Sequence, residues 1–97
     1  MPTYLTLARW TEEGVRTVKQ TVTRTEQARA AAKKAGGKFI GSWWTQGAYD
    51  FVAVIEMPDD ESVSALVLRT AMGGNARFET MRAYTAEEMQ RIIQKLP

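Results

Sequence analysis

The sequence contains neither cysteine nor histidine in its 97 residues. The lack of cysteine excludes disulfide bonds, thiolate nucleophiles, iron-sulfur clusters and zinc sites built on sulfur. The lack of histidine removes the commonest metal ligand and the commonest general base near neutral pH, and with them every Ser-His or Cys-His nucleophile pair. Any catalysis must therefore use carboxylates, tyrosine, lysine, arginine or a bound cofactor. We expect no metal site and no cofactor.

Long apolar runs and a strong charge imbalance are also missing. No apolar run approaches the roughly 18 residues of a membrane span, and Met1-Pro2-Thr3-Tyr4 lacks the charged and apolar regions of a signal peptide. The 13 basic and 11 acidic residues give a net charge of +2, which is below the excess typical of nucleic-acid-binding domains. We expect a cytoplasmic, single-domain protein that binds neither a membrane nor nucleic acid.

Four segments predict β-strands because they are rich in β-branched, aromatic and aliphatic side chains. They are Thr3 to Trp10, Lys38 to Thr45, Tyr49 to Met57 and Asn75 to Tyr84. A strand with one solvated face alternates polar and apolar residues, but the third strand is apolar throughout Phe51-Val52-Ala53-Val54-Ile55. Both faces of this strand must therefore be covered.

Capping residues and one-face apolar spacing predict four helices, the first of them short. The capping signals are Thr11, the capping-box pair Thr23 and Glu26, Asp59, and the capping-box pair Thr85 and Glu88. The apolar stripes of the three longer helices are Ala28, Ala31, Ala32 and Ala35; Val63, Leu66, Val67 and Ala71; and Met89, Ile92, Ile93 and Leu96. These helices alternate with the strands in the order β-α-β-β-α-β-α.

This order describes an α+β fold, a ferredoxin-like βαββαβ sandwich with a four-stranded antiparallel sheet and an additional C-terminal helix. Four strands of about six residues make a sheet face of roughly 380 Å². An apolar face of that size equals the largest apolar patch of a typical monomer. We therefore predict a homodimer, or a higher homo-oligomer, whose sheets pack face to face as a dimeric α-β barrel.

The segment Gly47-Ala48-Tyr49-Asp50 resembles the Gly-x-Tyr-Asp signature of the small bacterial GYD-domain proteins, which belong to the dimeric α-β barrel superfamily. Further similar segments are Pro2-Thr3-Tyr4, Thr11-Glu12-Glu13-Gly14, Gly36-Gly37-Lys38, Pro58-Asp59-Asp60-Glu61 and Gly74-Asn75-Ala76-Arg77-Phe78-Glu79-Thr80. The resemblance covers nearly the whole chain and implies one GYD-like domain over residues 1–97. It supplies no catalytic residue, because the family has no settled activity.

The wider superfamily implies a range of functions. It includes cofactor-free monooxygenases, small-molecule isomerases, lactone-forming enzymes, haem proteins and ligand-sensing domains that oligomerise. Haem ligation through histidine is impossible in this chain. The remaining functions differ in their pocket side chains, which a shared fold does not determine.

Aromatic and acidic residues around the second turn are candidate site residues. Trp43 and Trp44 are neighbours on a strand and must face opposite sides of the sheet; one belongs to the core and the other to the subunit interface, although Trp44 at the strand end is also a candidate pocket wall. Asp50 has two interpretations. It accepts backbone N–H bonds in the Gly47 turn, or it acts as a base or ligand acceptor with the Tyr49 phenol as donor.

A polar row, Asn75, Arg77 and Glu79, shares one face of the last strand with Met81. Such a row is typical of an edge-strand or interface ion pair. In the alternative interpretation Arg77 holds a carboxylate or enolate oxygen and Glu79 orients it. The catalytic candidates are thus Asp50, Glu79 and Arg77, and the ligand-binding candidates are Trp44, Tyr49, Asp50 and Arg77.

RNA-recognition domains share this strand order, but the sequence does not match them in detail. Gln46 replaces the basic residue expected before the glycine, the spacing contains an extra residue, and Asp50 would lie beside the phosphates. Five basic residues could line one helix edge, but such a pattern is typical of solvated surface: Arg24, Arg29, Lys33, Lys34 and Lys38.

The sequence therefore predicts a homo-oligomer that binds a small, apolar or aromatic organic molecule between its sheet and helices or at a subunit interface. Two alternatives stay open. One is a cofactor-independent monooxygenase or isomerase, and the other is a non-enzymatic sensor or assembly module. An enclosed cavity with convergent polar groups would favour binding or catalysis, and a filled interior would favour assembly.

Overall fold

A four-stranded antiparallel sheet with helices on one side forms the body of the protein, as seen in a computed structural model that describes residues 1–97. The sheet order is β2-β3-β1-β4. The strands are β1 (Thr3–Trp10), β2 (Lys38–Trp44), β3 (Phe51–Glu56) and β4 (Ala76–Ala83), and the helices are α1 (Glu12–Arg16), α2 (Thr21–Lys34), α3 (Asp60–Ala71) and α4 (Ala86–Ile93). The predicted ferredoxin-like α+β fold with a C-terminal helix is confirmed.

The hydrophobic core lies between one face of the sheet, which we call the helix side, and helices α2 and α3. On the central strands, register places Tyr4 opposite Ile55 and Thr6 opposite Ala53 on this face. The buried cluster consists of Tyr4, Ala32, Ala53, Ile55, Met57, Val63 and Leu66. Because Ala32 of α2 is small, this helix approaches the sheet closely at that point.

The opposite face of the sheet, which we call the outer face, is covered by no helix of the chain. Register pairs Leu5 with Val54 and Leu7 with Val52 at its centre. Met81 of β4 lies beside Leu5. Strand β3 thus carries apolar side chains on both faces, as predicted.

Trp43 and Trp44 occupy opposite faces of β2, as predicted. Trp43 is on the outer face, opposite Val52, and its ring folds back over Gly41. A Cβ at Gly41 would lie 2.6 Å from Cη2 of this indole, so the glycine makes room for the ring. Trp43 is still 56% exposed.

Three of the four predicted helix starts are confirmed by side-chain caps. The Thr11 hydroxyl accepts the Gly14 N–H, and an Asp59 carboxylate oxygen accepts the Ser62 N–H. Thr85 and Glu88 form the predicted reciprocal capping box. The predicted capping box of Thr23 and Glu26 is wrong, because α2 already begins at Thr21, after a 3-10 turn at Val18–Gln20, and needs no side-chain cap.

Helix α4 lies apart from the sandwich, and no other helix or strand packs extensively along it. Its main link to the sheet is Arg82, whose guanidinium lies 2.8 Å from Oε2 of Glu88 and also covers the Tyr84 ring. Met89 and Ile93 of its apolar stripe remain 47% and 49% exposed. No helix has the length and apolar character that crossing a bilayer requires.

We predict that Gly14→Ala destabilises the protein, although alanine usually stabilises a helix interior by up to about 1 kcal/mol relative to glycine. A Cβ at this buried position would lie 1.9 Å from the Asn75 carbonyl oxygen, which also accepts the Thr11 N–H. Overpacking of this kind costs about 1–3 kcal/mol of unfolding free energy, measurable by urea denaturation. Gly73→Ala is the control, since its Cβ would lie 3.3 Å from the Thr70 carbonyl oxygen, where a shift of a few tenths of an ångström is enough.

We also predict acid sensitivity in the attachment of α4. The Thr85 N–H first, and then the Arg82 guanidinium, lower the pKa of Glu88 from 4.5 to about 2. A lowered folded-state pKa means that this stabilisation is present above pH 4.5 and is lost as the pH falls towards 2. The melting-temperature gap between wild type and Glu88→Gln should shrink over that range.

The control for this experiment is Glu87→Gln, because Glu87 is exposed and pairs only with Arg91 on its own helix. Its melting-temperature gap to wild type should be small throughout the titration. A gap for Glu88→Gln that stays constant from neutral pH down to the folded-state pKa would contradict the assignment.

Candidate functional site

A cavity of about 110 Å³ opens between the helix side of the sheet and helices α2 and α3. Ten of its 16 lining residues are hydrophobic. The aromatic walls are Trp10, Phe39, Phe51 and Phe78, and the polar lining residues are Thr6, Thr21, Arg24, Thr25, Thr70 and Asn75. The interior of the sandwich is therefore not completely filled, and polar groups meet in the space that remains.

Arg24 is the one charged residue that lines this cavity. Its guanidinium donates to Oγ1 of Thr17 at 2.8 Å and to the Thr17 carbonyl oxygen at 3.0 Å. The seven ion pairs of the protein all involve other residues. Thr17 thus holds the guanidinium in place without neutralising its charge.

Thr6 is the other notable polar group, because it is only 6% exposed and sits in the middle of the central strand. Its hydroxyl has no hydrogen-bond partner in the protein, yet no fully occluded side-chain polar atom is left unpaired. The hydroxyl therefore retains some accessible surface, and Thr6 lines the cavity. Thr70 differs, since its hydroxyl already donates to the Leu66 carbonyl oxygen at 2.9 Å.

The first turn of α2 also lies at the cavity. It contains no acidic residue, and Thr21 and Arg24 line the cavity. The Thr21 N–H already donates to the Val18 carbonyl oxygen, so the Arg24 guanidinium is the positive group that favours an anion there.

Trp44, a predicted ligand-binding residue, does not line the cavity but contacts two residues that do. Its indole N–H donates to Oγ1 of Thr21 at 3.0 Å, and its ring meets Phe51 edge-on with 5.5 Å between ring centroids. It is 42% exposed. Trp44 therefore closes one side of the sandwich between β2 and the start of α2.

Asp50 is tied to the end of β1. Its Oδ2 accepts the Trp10 N–H at 2.9 Å, and its own N–H donates to the Ala8 carbonyl oxygen at 2.8 Å. The backbone N–H group that it accepts belongs to β1, whereas the sequence predicts one from the Gly47 turn. Asp50 does not line the cavity.

Tyr49 and Glu79 meet at the end of the outer face. The Tyr49 hydroxyl donates to Oε2 of Glu79 at 2.9 Å, and this bond raises the pKa of Tyr49. Arg9 lies 4.5 Å over the Tyr49 ring and 3.6 Å from Oε1 of Glu79. These three residues form what we call the Tyr49 cluster.

Arg77 is exposed on the same face, directly opposite Arg9 in the pairing of β1 with β4. It takes part in none of the seven ion pairs. Of the predicted site residues, the structure thus brings Tyr49 and Glu79 into contact. It separates them from Trp44, which lies at the helix side.

The groups whose pKa is displaced all lie outside the cavity. They are Tyr4, Tyr49, Asp59, Arg82 and Glu88. The largest rise among the tyrosines is that of Tyr4, whose pKa is raised to about 12 by burial and by its hydrogen bond to Asp60. This bond joins β1 to α3, so its role in the structure is to tie the core together.

Sequence reasoning missed Arg24 and Thr6 as cavity residues. As one of five basic residues on a helix edge, Arg24 is expected at a solvated surface, yet it precedes Ala28 by four positions and so continues the face of the alanine stripe. That spacing was the available signal. The sequence signal for Thr6 was weaker: it is a polar residue on the buried face of a central strand.

Comparison with known proteins identifies relatives of similar length. A curated protein of Thermus thermophilus, named glutamine synthetase and cystathionine beta-lyase binding protein, is 26% identical over 90 residues, which is 92% of this chain and 95% of that protein. The crystal structure of TTHA0845, also from Thermus thermophilus, has a TM-score of 0.55 at 23% identity, and the match covers 89% of this chain and 96% of the other.

Two further solved structures share the fold at lower identity. FFRP-DM1 has a TM-score of 0.60 at 14% identity, covering 87% of this chain and 100% of the other. The leucine response regulatory protein LrpA of Mycobacterium tuberculosis has a TM-score of 0.58 at 9% identity, covering 88% of this chain and 51% of the other. At these identities the likeness shows the fold alone.

The chain also matches the GYD domain over residues 4–93, which is nearly its whole length. The resemblance carried by Gly47-Ala48-Tyr49-Asp50 is thereby confirmed. This protein belongs to the GYD domain family.

Proposed function

We propose that this protein is a binding module that associates with a second copy of itself through the outer face and, in that form, binds other proteins. The observation that carries the proposal is the outer face, whose apolar centre has no cover within the chain. The name of the Thermus relative, which describes a protein that binds two enzymes, supports a protein-binding role. A cytoplasmic location is part of the same proposal.

The outer face has the composition of an interface. Its centre consists of Leu5, Leu7, Val52 and Val54. Charged pairs lie at its margins, including Arg9 with Glu79 and Lys38 with Glu56. An apolar centre within a polar rim is the usual anatomy of a protein interface.

A two-fold arrangement would suit this surface because one patch then meets its own copy. Arg77 and Arg9 face each other across two strands, and like charges placed directly opposite are destabilising. In our proposal a carboxylate of the second copy lies near Arg77 and relieves this repulsion.

A small-molecule site is the second candidate function, and the cavity is the specific observation that favours it. Its volume is below the roughly 300–1,000 Å³ of pockets for drug-sized ligands, so the part of a ligand that enters it must be small. The enzymatic alternative, with Asp50 or Glu79 as base and Arg77 as oxyanion stabiliser, has less support. Asp50, Glu79 and Arg77 lie outside the cavity, so a reaction there requires a pocket completed by the second copy.

We predict that Leu5→Lys dissociates the oligomer. Leu5 lies between Val54 and Met81 on the outer face, where a lysine from each copy would be buried without a partner. In sedimentation velocity at micromolar concentration, wild type should sediment as a dimer or larger. The dissociation constant of Leu5→Lys should rise by at least about tenfold.

The matched control is Leu68→Lys, since Leu68 of α3 is 65% exposed on the far side of the molecule. It should sediment as wild type does. Monomeric wild type under these conditions, with correct folding shown by circular dichroism, would overturn the self-association.

We predict that Asp50→Ala lowers the unfolding free energy by about 1–2 kcal/mol, because the Trp10 N–H loses its acceptor. Asp50→Asn should cost less, since an amide oxygen still accepts this bond. Urea denaturation measures both, with Glu61→Ala as an exposed carboxylate control that changes the value by less than about 0.5 kcal/mol. Unchanged stability of Asp50→Ala would favour the site interpretation of Asp50.

A further inference from the structure

We propose that the cavity binds a short branched aliphatic carboxylate, with the carboxylate on the Arg24 guanidinium and the hydrocarbon among the aromatic walls. This inference rests on the second candidate function and names the chemical class of its ligand. Three properties of the cavity determine the class: its charge, its size and the absence of an acidic group from its lining.

The charge comes first. Arg24 lines an apolar cavity with no carboxylate in ion-pairing distance, and both of its side-chain hydrogen bonds go to Thr17. A guanidinium has five N–H donors in a planar fork, so donors remain for a ligand. The electrostatic attraction between a half-buried cation and an anion is stronger than in water, because the local dielectric constant is lower. A carboxylate matches the fork geometry.

The size comes second. A cavity of about 150 Å³ lined by Leu, Ile and Phe binds benzene. This cavity, at about 110 Å³, therefore suits a hydrocarbon group slightly smaller than a six-membered ring. A branched chain of three or four carbons, as in isovalerate, fills such a space compactly and leaves its carboxylate free to reach Arg24.

The lining residues also discriminate among acids. They contain one cation and no carboxylate, so an ammonium group inside the cavity would be desolvated without a counter-ion. An α-amino acid is therefore a poor ligand. Thr6 supplies a hydroxyl that lies at the cavity without a protein partner and can donate to a ligand oxygen.

The test is isothermal titration calorimetry of the full chain with sodium isovalerate. We expect saturable binding to wild type, and affinity at least about tenfold weaker for isovaleramide, which has the same shape without the charge. Leucine should bind at least about tenfold more weakly than isovalerate, because of its ammonium group. Equal affinity for isovalerate and isovaleramide would overturn the inference while leaving a small-molecule site in place.

Arg24→Gln should weaken isovalerate binding by at least about tenfold, since a hydrogen bond to a charged group is lost. The matched control is Lys33→Gln on the same helix. Lys33 is exposed and does not line the cavity. Unchanged affinity in Arg24→Gln, or an equal loss in both variants, would contradict the role of Arg24.

Arg24 also helps to hold the start of α2, so a second measurement guards against a folding defect. Isotope-labelled wild type titrated with isovalerate should show amide and methyl shifts at Thr6 and around Phe78, and none around Ile93 of α4, which lies apart from the sandwich. Shifts confined to residues outside the cavity, or no saturable binding by either method, would overturn the inference. Sedimentation of Leu5→Lys reports on self-association separately, so the two proposals fail independently.

Discussion

The central strands β1 and β3 are apolar on both faces of the sheet. The helices of the chain cover only one of these two faces. This constraint determines the rest of the structure. On the helix side, Tyr4, Ala53 and Ile55 are buried under α2 and α3. On the outer face, Leu5, Leu7, Val52 and Val54 have no such cover. A chain of about 100 residues buries a limited share of its surface when it folds alone, so a second copy is the simplest cover.

The signature Gly47-Ala48-Tyr49-Asp50 has a structural role in the same sheet. The Ala48 carbonyl oxygen accepts the Arg9 Nε–H at 2.8 Å, the Tyr49 hydroxyl reaches Glu79, and Asp50 accepts the Trp10 N–H. Each bond joins the turn to the end of β1 or its neighbour β4. The signature thereby positions Trp10, which lines the cavity, at the same time as Arg9, which borders the outer face.

Local signals allowed much of the fold to be predicted from the sequence. Strand β1 has its predicted bounds, and the Thr85 and Glu88 capping box forms as expected. The predicted start of α2 is wrong because the spacing of Thr23 and Glu26 is compatible with a helix start and with a helix interior. What decides is the preceding backbone: the 3-10 turn at Val18–Gln20 leads directly into the helix.

The candidate site was less predictable, because it depends on which side chains are too small to meet across the core. No local pattern reports that a gap will form between layers. The predicted residues Tyr49, Asp50, Glu79 and Arg77 were chosen for their chemistry. In the structure Asp50 forms hydrogen bonds at the turn, and Tyr49, Glu79 and Arg77 lie at the outer face. Their roles as ligand-binding or catalytic residues stay predictions.

The gap itself follows from the residues on both layers. Ala8 and Ala76 on the sheet face Thr25 and Ala28 on α2, and none of these side chains fills the space between them. The space is partly open to solvent, so a ligand can reach it from outside.

Water alone leaves the apolar part of this space poorly covered, because four aromatic rings line it beside the polar groups. A ligand with one charged end and an apolar body meets both requirements at once. It satisfies Arg24 and Thr6 at its polar end, and it restores the packing that the small residues leave incomplete. The void is thus easier to explain as a site that is filled when the protein works than as a packing defect.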